Sequence, residues 1–413
     1  MKNKKIIPIW LLVCASFLFM YLLLFVQPVF LNISHSMLFP KYVLSMNPIG
    51  IDLRQMLSYS SEWVKGCTPY VGANLYPPFA SVLFYPLTTC QFPTAYFLVT
   101  FMTIAAFISV VLVLPLVSCK DPDRAALVAL TIAGLLSYGF QFEIERGQFN
   151  TIAFALCAWA IFFFHSGQGK WARIGAFLLF TVAIQLKLYP AIFIFAFTRN
   201  ARDWKGNLMR WGALGVINIA LFFTLGVSVF ENFLTAVTAQ VNDPYVWIGN
   251  HSLTSFITLA LRKTSLGPFA SFIWLGCGLI LAMCFLFILA RVYQRNSRRY
   301  IKYLIASCGL STMLIPSVSH DYKLPILCMI FAMFVGETRP ILVNGFKGIF
   351  TVLFLFAFSM INAWSLFPYT FKPVILRNNA PFLLFAYIVL ILIMLSEETQ
   401  RSDDRQTGDT TAS

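Results

Sequence analysis

Long apolar stretches alternate with short polar breaks along the whole chain. A helix that crosses a bilayer needs about 20 consecutive apolar residues, and positions 6–26 supply one without interruption, directly after three lysines within positions 1–5. That run is longer than the core of a cleavable signal peptide, and no small-x-small cleavage site follows it, so it predicts a retained first helix with its N-terminus in the cytoplasm. The next stretch is too polar to span, holding Asp52, Arg54, Glu62 and Lys65, and predicts a first outer loop over 27–76. Inside it, Leu53, Met56, Leu57 and Trp63 recur at helical spacing, which predicts an amphipathic helix over 52–65 lying on the bilayer surface. An ordinary loop helix would show the same pattern.

Further apolar runs occupy roughly 94–117, 125–141, 149–166, 173–198, 208–230, 268–290, 303–316, 324–336, 343–361 and 381–395. Several are irregular. The run 173–198 is broken at Lys187-Leu188-Tyr189-Pro190 and reads as two short helices turning near the outer face. The runs 303–316 and 324–336 are short, with a polar turn over 317–323 between them, and Tyr76-Pro77-Pro78-Phe79 opens another short run that ends near Cys90. Short, proline-interrupted helices are tolerated in a membrane only where their backbone lines a cavity or packs on protein. They therefore predict a cavity open to one side.

Composition turns this pattern into a fold class. The 413 residues are 59% hydrophobic and 11% charged, with a mean hydropathy of +0.77, against about 25% charged in an ordinary soluble chain. A soluble chain of this length cannot bury so much apolar surface. The expectation is an all-α polytopic membrane protein of about 11–13 transmembrane helices, short and broken ones included, forming a single domain over 1–396 and followed by a disordered cytoplasmic tail over 397–413. Net charge is +14, but no basic stripe lies on a soluble module, so nucleic acid is not an expected partner. Alternating the runs puts 20 of the 30 basic residues on the cytoplasmic side, as the positive-inside rule requires. Seven of the nine cysteines sit in or beside apolar runs, while Cys67 and Cys90 lie near the outer face and could pair.

With the sides assigned, the unusual polar residues gather outside. Asp52 stands at the start of the surface helix, placed either to cap it or to act as a general base in a partly desolvated site. The segment from Glu143 to Asn150 packs Glu143, Glu145, Arg146, Gln148 and Asn150 into a short outer turn. It reads as a solvated turn or as a recognition patch, with Arg146 for an anion and Gln148 and Asn150 for hydroxyls. Lys187 lies in an apolar run, where an ionisable group is functional unless it snorkels to the interface. His320, Asp321 and Lys323 could bind a phosphate or relay a proton, or simply form a polar hairpin turn. Asn250-His251-Ser252 follows the aromatic stretch Pro244-Tyr245-Val246-Trp247, a composition that suits either a sugar contact or an interfacial belt. There is no phosphate-cradling glycine loop and no metal-ligand spacing among the cysteines.

Six segments in this order, namely Gly50-Ile51-Asp52, Leu75-Tyr76-Pro77-Pro78-Phe79, Arg146-Gly147-Gln148-Phe149-Asn150, Lys187-Leu188-Tyr189-Pro190, Asn250-His251-Ser252 and Ser319-His320-Asp321, resemble the motifs of glycosyltransferase family 87. These are polytopic enzymes of the GT-C type that include polyprenyl-phosphate-mannose-dependent alpha-mannosyltransferases. The resemblance covers roughly 45–325. It implies a GT-C-like bundle and inverting transfer from a polyprenyl-phosphate sugar (mannose-like hexose first, pentose second) to a lipid- or glycan-linked acceptor on the extracytoplasmic face. Asp52 matches the first-loop catalytic aspartate and His320 a histidine near the donor phosphate. Lys187, Arg146 and Lys323 would meet the phosphate, and Tyr76, Glu145, Gln148, Asn150, Asn250, His251 and Asp321 the sugar or acceptor. A phosphate leaving group needs cationic clamps more than a metal, so no metal or cofactor is expected. The chain departs from the pattern at Leu53, where an aromatic is expected, at His251, where glutamine is usual, and at Leu188, where proline is frequent. The implied location is a bacterial inner (plasma) membrane, among membrane lipids, with the active site extracytoplasmic.

Two other functions fit a membrane protein of this kind. A transporter or lipid flippase should show inverted repeats and charges near the midplane, whereas here no repeat is visible and the charges lie at the outer edge. An oligosaccharide ligase usually carries a long late external loop, and the longest candidate, about 231–267, is modest.

Overall fold

The computed structural model describes residues 49–70, 74–119, 122–167, 169–199, 202–247, 249–295, 301–335 and 378–410. The predicted first helix over 6–26 and the run 343–361 lie outside these residues. Among the described residues the regular structure is helical, and the one extended feature is an isolated bridge between Asn250 and His320. The protein is an all-α polytopic membrane protein.

In chain order the helices are α1 (Ile51–Val64), α2 (Pro78–Thr88), α3 (Phe92–Ser118), α4 (Arg124–Leu135), α5 (Tyr138–Arg146), α6 (Asn150–Ser166) and α7 (Lys170–Leu186). A 3₁₀ segment over Tyr189–Phe197 follows. Then come α8 (Trp204–Phe222), α9 (Val227–Asn242), α10 (Leu253–Leu261), α11 (Ala270–Arg295), α12 (Ile301–Leu314), α13 (Pro325–Val335) and α14 (Ala380–Thr410). Three described helices are long and apolar enough to cross a membrane, or up to five if each bent pair is one span.

The breaks have local causes. Pro115 has no N–H to return to Val111, and α3 widens into a π turn over Ser109–Val113 just before it, where Trp159 donates to the Ser109 hydroxyl at 3.0 Å. The expected single run 125–141 is two helices: Ser137 ends α4 and caps α5, its hydroxyl accepting from the Phe140 N–H. As a result Glu143, Glu145 and Arg146 are helical, not part of a solvated turn. The expected run 208–230 also divides, because the turn closed by Gly226 at φ 101° bends α9 by 103° from α8. The chain breaks after Leu186, where the residues around Pro190 take the 3₁₀ form. α14 runs on to Thr410, where the sequence reading expects a disordered tail over 397–413. A helix already nucleated in an apolar span propagates into polar residues at little further cost.

α6 and α7 form an antiparallel pair at the centre, with Phe164, Phe180 and Phe197 in ring contact. Phe97, Met209 and Phe272 on α3, α8 and α11 are more than 60% exposed. Large apolar faces of this kind are what lipid would cover. The ends of the helices also sort into two layers. The starts of α1, α6, α10 and α14 meet the ends of α5, α7 and α12 at one end of the bundle. At the other end Arg199 lies over Phe164 and Lys302 pairs with Glu397 at 3.7 Å. Cys67 and Cys90 are free and exposed, so the possible disulfide between them is not formed.

Candidate active site

Two glycines set up the first part of the site. Gly147 ends α5 in the left-handed conformation, φ 67°, and an added Cβ there would meet the Leu53 Cβ at 2.8 Å. Gly50 is also left-handed and its N–H donates to the Glu145 carbonyl at 2.8 Å. With no side chains in the way, the start of α1 seats directly on the turn after α5. Leu53 and Met56 are fully buried there with Phe84 and Phe149. Asp52, in the first turn of α1, stays half-buried and open to one side.

The residue that organises the site is Gln148. Its amide nitrogen donates to Asp52 Oδ2 at 2.7 Å and to the Tyr76 hydroxyl at 3.2 Å. Its amide oxygen accepts from Lys187 Nζ at 2.8 Å and from Asn150 Nδ2 at 3.3 Å. Lys187 sits in the break after α7, above the rings of Tyr76 at 4.3 Å and Phe149 at 4.6 Å, a favourable place for a cation. Burial pulls its ammonium down to about 7, against the opposing pull of Asp52 and Glu143. The structure therefore brings Asp52, Tyr76, Gln148, Asn150 and Lys187 into one hydrogen-bonded cluster drawn from α1, the start of α2, the α5–α6 turn and the end of α7.

Beside this cluster Arg146 pairs with Glu145 at 3.5 Å and lies over the Phe142 ring at 4.9 Å. Glu143, which sequence reasoning left without a role, is fully buried. Its two oxygens accept from the Thr151 N–H at 2.7 Å and the Thr151 hydroxyl at 2.5 Å. A carboxylate at the start of α6 satisfies backbone donors that the helix itself cannot. Tyr189 holds the same start from the other side, donating to the Asn150 carbonyl at 2.7 Å.

The second part of the site is a clip between the α10 start and the turn before α13. The Asn250 side chain donates to the carbonyls of Tyr245 and Ser317 at 2.7 and 2.8 Å, and accepts from the N–H groups of Ser252 and Ser319. Every hydrogen-bonding position it has is spent on backbone, so Asn250 holds the fold and has nothing left for a sugar. His251 Nε2 is 2.6 Å from Asp321 Oδ1. Its Nδ1 accepts from the Asn379 N–H, so Nε2 carries the proton and donates to the carboxylate. Both side chains are about 5% exposed or less. His251 and Asp321 thus hold each other and the start of α14.

His320 is ringed by Tyr245, Trp247 and Tyr322 at centroid distances of 5.4–5.8 Å. Burial lowers its pKa to about 4, so the ring is neutral at pH 7. Lys323 donates to the carbonyls of Val318 and Thr312 at 3.0 and 3.3 Å. Burial and the nearby Lys187 pull it down to about 7, and its hydrogen bonds make it a pin for its own turn. Tyr322, overlooked in the sequence, joins the two parts: it stacks on Phe142 at 6.2 Å and touches the fields of Asp52, Arg146 and Glu143. A polar residue adjacent to the His320-Asp321 pair was the available signal. Among the described residues no three His, Cys, Asp or Glu side chains converge as a cation site would require.

A half-buried carboxylate, a half-buried cation and a bridging amide converge at one end of a helical membrane bundle. A model of glycosyltransferase family 87 matches residues 74–317, more than half of the chain. The chain belongs to glycosyltransferase family 87. It is a membrane glycosyltransferase, using a sugar donor and an acceptor. The matched stretch contains Tyr76, Arg146, Gln148, Asn150, Lys187 and Asn250, whereas Asp52, His320, Asp321 and Lys323 lie outside it. No curated protein matches the chain.

Proposed function

We propose that this glycosyltransferase moves a sugar from a polyprenyl phosphate to a hydroxyl of a lipid- or glycan-linked acceptor, with inversion, at the extracytoplasmic face of a bacterial inner membrane. The sugar is a mannose-like hexose, with a pentose as the next choice. The observation that carries the reading is the Asp52–Gln148–Lys187 chain, in which Gln148 holds a carboxylate at 2.7 Å and an ammonium at 2.8 Å. Lys187 donates one hydrogen bond to protein there, and its remaining N–H groups suit the donor's phosphate.

In the proposed step the acceptor hydroxyl gives its proton to Asp52 as its oxygen forms the bond to the sugar's anomeric carbon. The bond from that carbon to the phosphate oxygen breaks, and its electron pair leaves with polyprenyl phosphate. Charge grows on the phosphate during this step, where Lys187 and the Arg146 guanidinium at the end of α5 stabilise it. Glu143 is occupied by Thr151 and Glu145 faces Arg146. Among the described carboxylates of this cluster, Asp52 is then the one placed for the acceptor, and one base with one displacement inverts the anomeric centre.

Two measurements test this. The purified protein, offered a panel of radiolabelled polyprenyl-phosphate sugars, should form a new glycosidic bond with one of them. Asp52→Asn should lower that turnover by about 100-fold or more while inserting in the membrane normally, and full activity in this variant would remove Asp52 as base. Movement of the lipid-linked sugar across a vesicle with no new bond would favour a transporter.

A further inference from the structure

Gln148 looks like a ligand contact from sequence, because a glutamine next to charged residues in a motif suits sugar hydroxyls. Its position is different. It is 4% exposed, and its side-chain polar atoms are already engaged by Asp52, Tyr76, Lys187 and Asn150. Only one orientation of the amide is possible. An ammonium can only donate, so the atom 2.8 Å from Lys187 Nζ must be the oxygen. A carboxylate can only accept, so the atom 2.7 Å from Asp52 Oδ2 must be the nitrogen. Turning the amide over would set N–H against ammonium and oxygen against carboxylate, two repulsions at once. The charge on Lys187 therefore dictates which end of Gln148 faces Asp52. Asn150 Nδ2 at 3.3 Å strengthens the same choice.

We infer that Gln148 is a positioning residue for Asp52: it ties down Oδ2, leaves Oδ1 as the oxygen that meets the acceptor, and has its polarity fixed by Lys187. This rests on the proposed base role of Asp52 and adds a division of labour to it. Lys187 serves the donor phosphate and, through one amide, also sets the direction of the base. Neither sugar nor acceptor touches Gln148. The backbone helps to fix the geometry, since Gln148 follows Gly147, whose left-handed conformation delivers the amide to the start of α1.

The test uses the full-length protein in nanodiscs as wild type, Gln148→Leu and Gln148→Glu. The first arm needs no turnover. Carbodiimide must reach a carboxyl oxygen, and the Gln148 amide covers Asp52 Oδ2. Labelling of Asp52, read by mass spectrometry of its peptide, should rise about five-fold or more in both variants. The Glu variant keeps size and a partner for Lys187 but sets a second carboxylate against Asp52, so it controls for packing while the Leu variant reports the lost amide. Unchanged labelling in both variants overturns the inference whatever the enzyme transfers. The second arm uses whichever polyprenyl-phosphate sugar the wild type turns over. In Gln148→Leu, kcat should fall about 100-fold, on the scale of a misdirected general base, with the KM for donor and acceptor each within about three-fold. A loss confined to acceptor KM overturns the inference and makes Gln148 a sugar contact. If the wild type transfers no polyprenyl-phosphate sugar, the proposed function fails, while raised labelling would still place Gln148 in control of Asp52.

Discussion

Asn250 offers the sharpest separation between a residue that binds substrate and one that builds the place where substrate binds. Asn250→Ala would remove two donor bonds, to the carbonyls of Tyr245 and Ser317, and two acceptor bonds, from Ser252 and Ser319. The side chain is fully buried, so water does not replace those partners without opening the turn. At about 1 kcal/mol for each lost bond, the sum is about 3–4 kcal/mol. Since a factor of ten in an equilibrium is about 1.4 kcal/mol, local opening of the segment should become more frequent by about two orders of magnitude or more. Hydrogen exchange followed by mass spectrometry reads this directly: peptides containing the Ser252 and Ser319 amides should lose about 100-fold of protection. Peptides from the centre of α6 should change little. Asn250→Asp is the companion variant. It keeps the acceptor oxygen but turns an acceptor toward the Tyr245 and Ser317 carbonyls, so it should be at least as damaging as alanine. Unchanged exchange with weakened binding of the sugar substrate would refute the clip and restore Asn250 as a ligand contact.

Other outcomes follow from the same geometry. Gly147→Ala forces a side chain into the left-handed region, costing about 1–2 kcal/mol, and drives a Cβ to 2.8 Å from the Leu53 Cβ. It should lower thermal stability more than Gly66→Ala, which meets nothing within 4 Å at φ 81°, and should also abolish transfer; equal effects of the two would deny the close seating of α1. Lys187→Met should weaken binding of a polyprenyl monophosphate by about ten-fold or more, on the scale of a lost charge-assisted hydrogen bond, as measured by titration in nanodiscs. Lys187 is charged below its pKa of about 7 and neutral above it, so wild-type affinity for that anion should fall as pH rises from about 7 to 9. A flat profile over that range would mean that the phosphate does not rely on Lys187.

The sequence was most informative where the physics is one-dimensional. Runs of apolar residues separated by basic clusters dictate membrane helices irrespective of how those helices later pack, because the lipid phase punishes each unpaired backbone group locally. The amphipathic spacing of Leu53, Met56 and Trp63 found α1 for the same reason, and the break at Lys187 and Pro190 was visible as a local loss of helical hydrogen bonding. The ordered motifs located the family and most of the segments that line the site. Chain order could not show how each polar side chain was used. Asn250, His251 and Asp321 have the composition of a binding site, yet their bonds go to backbone and to each other. His320 sits in a motif position suited to a phosphate, and only the packing shows that it is enclosed by aromatic rings. Glu143 became a cap for α6 because the chain turns back on itself at Gly147. Hydrogen-bond partners separated by 96 residues, as Asp52 and Gln148 are, depend on which helix ends come together. The apolar pattern decided that there would be a membrane bundle with its polar groups at one end, and tertiary packing decided that Asp52, Gln148 and Lys187 would be the groups facing one another there.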